Sequence, residues 1–338
     1  LLLSDLQKLI NQVVLIDYII IILGENIMNI TASMVKELRE MSGAGMMDCK
    51  KALTNTDGNM EEAMKFLKEN GLAKAAKKAG RIAAEGIVAT YVSEDGKTAS
   101  MVEVNSETDF VAKNDVFRGF VNEVAKQAAE TSATDIDAFL AESWSGDANM
   151  TIKEKLADMI AKIGENMNIR RFEKVTANDG VVVSYIHAGG KIGVLVEAKT
   201  DNVTDGVKEC LKNVAMQVAA MSPKYVSTAD VSEEYKKSEL ESLIAQAKND
   251  PKNASKPENI LEKMVQGRLN KELKEVCLLE QVYVKAEDGK QTVAKYLEQV
   301  SKEVGTPVTV KKFVRFETGE GIEKKEEDFA AEVAAQLK

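Results

Sequence analysis

The chain contains two copies of one unit, and this duplication limits its fold more than any single motif. Residues 86–128 slide onto 180–222 at a constant offset of 94 without a gap. "GIVATYVSEDGKTASMVEV" then lies on "GVVVSYIHAGGKIGVLVEA", pairing Gly86 with Gly180, Tyr91 with Tyr185, Gly96-Lys97 with Gly190-Lys191 and Val102-Glu103 with Val196-Glu197. Alternating branched residues on either side of a glycine-containing turn predict a β-hairpin in each copy. A helical stripe at i, i+3, i+4, i+7 follows, Phe117, Phe120, Val121, Val124 and Ala128, with Leu211, Val214 and Val218 opposite Phe117, Phe120 and Val124. At offset 141, "IGENMNIRRFEKV" (163–175) lies on "VGTPVTVKKFVRF" (304–316). Each copy therefore reads hairpin, helix, helix, strand. The fold class is α+β, with two small three-stranded antiparallel sheets covered by helices.

The change of offset from 94 to 141 gives the second copy 47 extra residues between its matched parts. Within 223–275, Tyr235, Leu240, Leu243 and Ala247 form one helical stripe and Leu261, Met264, Val265 and Leu269 another, with Pro251 and Pro257 at the turn. This predicts an inserted antiparallel helical hairpin. Two apolar stripes projecting from a domain call for a partner, so the hairpin is expected to dock or to oligomerise. Ahead of the duplication, Val35, Leu38 and Met41 form one stripe, Met46, Cys49 and Leu53 a second after "SGAG", and Met60, Ala63 and Leu67 a third, capped by Asn59 and stopped by Gly71. The expected organisation is a three-helix module and linker at 28–84, the first copy at 85–178, the second at 179–222 with 276–318, the hairpin at 223–275, and a C-terminal helical module at 319–338.

The first 27 residues read differently. Their apolar runs are broken by Asp5, Lys8, Asn11 and Asp17, short of the roughly 20 residues of a membrane span. They carry acids, and neither a cationic n-region nor a small-residue cleavage site is present. Leu23-Gly24-Glu25 can be encoded TTA-GGA-GAA, which contains the purine-rich AGGAGA of a bacterial ribosome-binding site just ahead of Met28. Residues 1–27 are thus expected to be translated upstream sequence, with the start at Met28.

Asp and Glu number 54 against 45 Lys and Arg, a net charge of −9, which argues against a general binder of phosphate backbones. Lys74, Lys77, Lys78 and Arg81 form a local basic run whose spacing fits the solvated face of a helix; an RNA-binding translation factor using this segment is the alternative. Cys49, Cys210 and Cys277 are odd in number and far apart, which fits a reducing compartment and no zinc site. His187 is the one histidine, so an enzyme would have a single candidate base and no evident nucleophile. A P-loop fails because Tyr91 stands where the first glycine is required, and a calcium loop from Asp201 fails at Val203 and Lys212. No cofactor or metal is expected.

The two copies diverge most tellingly at one place. Thr108-Asp109-Phe110 faces Asn202-Val203-Thr204. Thr108 and Asp109 can accept the orphan N–H groups of a helix start, but a Phe demanded by the common fold would have an apolar counterpart, and Thr204 is not one. Phe110 is therefore expected to be exposed for binding, against the plainer role of closing a local core. Met46 and Met47 cannot both face a three-helix core if Cys49 and Leu53 do, so at least one is expected to be an exposed, adaptable contact. His187 stands opposite Ser93, a second point of difference.

"ITASMVKELREMSGAGMMDCKKAL", "VNSETDFVAKND", "KIGENMNIRR", "EKMVQGR" and "FETGEGIEKKEEDFAAEVAAQL" resemble the bacterial elongation factor Ts family, the exchange factors of the GTPase elongation factor Tu, over everything from Met28 onward. The resemblance implies a UBA-like N-terminal module that docks on the GTPase domain, through contacts such as Met46 and Met47. It further implies that Thr108, Asp109, Phe110 and Val111 enter the partner beside its magnesium site and loosen GDP. His187 would touch the partner's third domain, from a turn, "HAGGKIG", one residue longer than the family's. The insert at 223–275 would make a homodimer. The implied protein is cytoplasmic, is not an enzyme, and binds neither membrane nor nucleic acid directly.

Overall fold

The computed structural model describes residues 30–250 and 256–323. Residues 1–27, Pro251 and the C-terminal stretch after 323 lie outside the described residues. In chain order the elements begin with α1 (Ala32–Ser42), α2 (Met46–Asn55), α3 (Met60–Lys78), β1 (Glu85–Val92), β2 (Thr98–Ser106), α4 (Asp109–Ala112), α5 (Asp115–Glu130) and α6 (Ile136–Ala141). They continue with β3 (Ser143–Trp144), β4 (Asp147–Thr151), α7 (Ile152–Ile163), β5 (Met167–Thr176), β6 (Gly180–His187), β7 (Ile192–Lys199) and α8 (Asp205–Met221). Last come α9 (Glu233–Asn249), α10 (Glu258–Val276), α11 (Val293–Val304) and β8 (Thr309–Glu317).

Two compact units emerge, one holding the residues up to Gly80 with Lys153–Asn166, the other Arg81–Ile152 with Met167 onward. In the first unit, the Thr31 hydroxyl caps α1 by accepting the Met34 N–H at 3.2 Å, and Asn59 caps α3 by accepting from Glu61 and Glu62. The three helices bury Val35, Leu38, Cys49, Ala52, Leu53 and Ala63 together. The first copy's second helix belongs to this unit from Lys153 on, where the sequence boundary of 85–178 would group it with the strands. Lys68 pairs with Glu154 at 3.2 Å, and the Lys78 ammonium donates to the Gly164 carbonyl.

The second unit holds two antiparallel three-stranded sheets, ordered β1-β2-β5 and β6-β7-β8, and the small β3-β4 hairpin. The duplication extends to their irregularities: β2 slips against β5 between Glu103 and Val104, and β7 against β8 between Glu197 and Ala198. Helix α5 lies on β1 and β2 through Phe117, Phe120, Val121 and Val124, and α8 with α11 covers the second sheet. Between the sheets sit Val88, Ala99, Met101, Val182, Leu195 and Phe316. The two hairpins also clasp each other reciprocally. The Val88 N–H donates to the Gly190 carbonyl at 2.7 Å, and the Val182 N–H to the Gly96 carbonyl at 2.8 Å. Gly96 and Gly190 have positive φ, and a Cβ on Gly190 would fall 2.8 Å from that of Ile87, so glycine is required where the turn meets the other copy.

The inserted helices α9 and α10 bury Leu243, Ala247, Val265, Leu269 and Leu273 against each other, with Tyr235, Leu240, Leu261 and Met264 at the edge. The two stripes thus satisfy one another, which removes the need for an outside partner inferred from their apolar character alone.

Candidate functional site

Helix α4 is a single turn between two caps. The Thr108 hydroxyl accepts the Val111 N–H at 3.4 Å, and its carbonyl accepts from Ser106 Oγ at 3.0 Å. Asn114 then restarts the helix, its Oδ1 accepting from the N–H groups of Val116 and Phe117 at 2.8 and 3.3 Å. Successive helical residues point about 100° apart, so when Val111 and Ala112 are buried the preceding side chain must face out. Phe110 is 79% exposed, the most exposed large apolar side chain described. Asp109 does not cap, as was expected of it. It pairs with Lys113 at 2.7 Å, and that bond, with the charges of Lys113 and Lys191, holds its carboxyl below the usual range.

In the second copy the same stretch is built otherwise. Thr200 Oγ1 bonds the Asn202 carbonyl as Ser106 Oγ bonds that of Thr108, but the cap comes two residues later, at Thr204, whose hydroxyl accepts the Val207 N–H at 3.3 Å. Helix α8 then runs unbroken. The counterpart of Phe110 is a capping residue, which accounts for its being polar.

His187 ends β6 at the surface, with its Nδ1 2.9 Å from the Tyr185 hydroxyl. The following turn passes through positive φ at Ala188, Gly189 and Gly190. Sequence reasoning missed Arg118, whose Nη1 donates to the carbonyls of Gly189 and Ala112 and so brings the His187 turn and the Phe110 turn together. Its position on the polar face of an amphipathic helix carried no signal for this.

In the other unit, Met46 and Met47 occupy the first turn of α2 and are 59% and 76% exposed. Met41, at the end of α1, is 58% exposed. The sequence stripes had placed Met41 and Met46 inside. Both flank the Gly43–Gly45 break, where the ends of two short helices turn away from the core formed by Leu38, Cys49 and Leu53.

A second buried feature stands on β2. Glu103 is fully buried and receives Arg170 Nη1 at 3.0 Å, Arg171 Nε at 2.6 Å, Asn105 Nδ2 at 3.0 Å and the Gly319 N–H at 2.8 Å. Burial pushes its carboxyl up, and these bonds and charges outweigh it, leaving the group below its ordinary range. Arg171 also lies 4.2 Å over the Phe316 ring. This cluster fastens the Glu317–Gly321 turn to the first sheet, with Arg170 Nη2 donating to the Glu320 carbonyl. Burial pushes the thiols of Cys210 and Cys277 up to about 11, so neither is a thiolate at neutral pH. Among the described residues no group of His, Cys, Asp and Glu is arranged to hold a metal, and no helix is long and apolar enough to cross a membrane.

The Elongation factor TS family model matches residues 107–320. Elongation factor Ts of Clostridium novyi (strain NT) is 56% identical over 308 residues, covering 91% of this chain and 99% of that protein. That of Clostridioides difficile (strain 630) is 57% identical over 310 residues, 92% of this chain and 99% of its own. These likenesses place the chain among the protein factors of translation elongation. It belongs to the elongation factor Ts family.

Proposed function

We propose that the chain acts as a guanine nucleotide exchange factor, binding a GDP-loaded GTPase of the elongation factor Tu type and promoting GDP release so that GTP can load. The observation that carries this reading is the exposure of Phe110 on a turn pinned from beneath by Val111 and Ala112. An aromatic held in water by a rigid support is poised to be buried elsewhere. Insertion of Thr108-Asp109-Phe110-Val111 beside the partner's magnesium site would supply roughly 1.5 to 3 kcal/mol from the Phe ring alone. Each ~1.4 kcal/mol directed against the nucleotide complex weakens it tenfold. By linkage, nucleotide weakens factor binding equally, so rebinding of GTP expels the factor. Met46, Met47 and His187 act as further contacts, and the chain supplies no bond chemistry, cofactor or metal of its own. The protein works in the cytoplasm.

The test is stopped-flow release of fluorescent GDP at saturating factor. Phe110→Ala should release GDP far more slowly than the parent while melting at the same temperature; parental release would overturn the assignment of Phe110. For the RNA-binding alternative, two of the four charges of the basic segment are matched by carboxylates: Lys74 pairs with Asp48 at 2.8 Å and Arg81 with Glu107 at 3.4 Å. Homodimerisation through 223–275 is part of the proposal. Deleting about residues 226–272 should change the sedimenting species and spare exchange; an unaltered oligomer would remove the hairpin from that role.

A further inference from the structure

The duplication supplies an internal control for one side chain. Arg118 and Lys212 occupy the same place on the helices that follow the two hairpins. Lys212 lines an open cleft of about 900 Å³ between α8 and the turn Ser93–Gly96 of the other copy, with Asp95, Lys208 and Lys285 around it. Arg118 instead spans the corresponding gap. Its Nη1 reaches the Gly189 carbonyl, two residues beyond His187, at 3.0 Å, and the Ala112 carbonyl, at the end of the Phe110 turn, at 3.3 Å.

The two ends of this bridge differ in what else secures them. The neighbouring Gly190 carbonyl already accepts from the Val88 N–H at 2.7 Å and from Thr318 Oγ1 at 2.9 Å, so the His187 turn is fixed to both sheets. The Phe110 turn is four residues long, too short to hold helical form by its own hydrogen bonds. Besides Arg118 it is held by the Thr108 cap, the exposed Asp109–Lys113 pair, the Asn114 N–H donating to the Val111 carbonyl at 2.9 Å, and the buried Val111 and Ala112. A planar guanidinium suits this task because its donors sit in a rigid fork, so little freedom is lost per bond.

We infer that Arg118 is a positioning residue that ties the Phe110 turn to the His187 turn, so that the partner meets both as one rigid surface. The functional half of this inference rests on the exchange reading above. Its structural half is a property of the unbound factor.

Hydrogen exchange on the unbound full chain tests the tie first. With 188–191, which Val88 and Thr318 hold, and 205–221 unchanged, amides of 109–114 in Arg118→Ala should exchange about tenfold faster. Arg118→Lys, which installs the residue of the second copy, should loosen them in the same direction and keeps the comparison usable if the alanine variant folds poorly. Unchanged protection of 109–114 in both variants overturns the tie. GDP release from the GTPase is the second readout. The factor concentration giving half-maximal release should rise about tenfold, because only a fraction of molecules then holds the competent arrangement, and the rate at saturation should fall by less. A looser Phe110 turn with an unchanged concentration dependence overturns the functional half. If Phe110→Ala also releases GDP like the parent, the exchange reading itself has failed.

Discussion

The two copies of the core share sheet order and even the site of the strand slip, with strands that differ in length by no more than one residue, yet they part at the junction between the second strand and its helix. In the second copy Thr204 caps a helix that runs unbroken for 17 residues. In the first, the cap moves two residues earlier to Thr108, a single turn forms, and Asn114 starts the helix again. The gain from this break is position. A side chain that would have been a cap is carried outward on a supported turn, and an apolar residue can stand there without being drawn into the core. One copy thus shows what the fold needs, and the other what has been added to it.

The largest expected effect contrasts Glu103 with Glu197, its half-buried counterpart. Glu103→Gln removes the charge that two arginines and the Gly319 N–H were built around and should cost about 3 kcal/mol in denaturant unfolding, while Glu197→Gln should change stability little. The pH dependence follows the same group. Its folded pKa lies below the ordinary value of 4.5, so its stabilisation is complete above that value and is lost as pH falls through the folded pKa. The Glu103→Gln protein should therefore show a flatter acid-unfolding profile than the parent. Equal costs at the two positions would mean that the copies do not differ in this respect.

Next in size is a pair of substitutions with opposite signatures. Phe110→Ala should lower GDP release by about ten- to a hundredfold and leave the melting temperature alone, whereas Thr204→Ala should leave release alone and cost about 1 kcal/mol of stability through the lost cap. If both variants changed the same observable, the division between scaffold and added contact would fail. The smallest effect belongs to Thr108→Ala. Its cap serves only four residues, so thermal unfolding should shift by less than for Thr204→Ala, while release should slow measurably as the turn loses order.

Much of this was legible in the sequence because it rests on short-range periodicity. The offsets of 94 and 141 located the strands that pair, and the stripe from Phe117 to Ala128 faces the sheet as its spacing requires. Phe110 could be singled out because the duplicate acts as a control within one chain. What escaped notice depends on contacts between distant residues. Met41 and Met46 fit a helical stripe by count, but at helix ends beside a glycine break the stripe no longer faces the core. Arg118 and Glu103 look like ordinary charged residues until the chain brings Gly189, Arg170 and Gly319 to them. The two hairpin stripes could be read as incomplete because spacing reveals an apolar face and not what it meets, and here each meets the other.

The clasp between the two hairpins bears on how the protein avoids sticking to itself. β1 and β6 are both edge strands, the kind of open border onto which a stray chain can add another strand. Each is shielded at its middle by the turn of the opposite copy, through Val88 to Gly190 and Val182 to Gly96. β5 and β8 form the other two borders, but at β1 and β6 the repeat that made the border also supplied its guard, so neither copy could lose its turn without baring the other's edge.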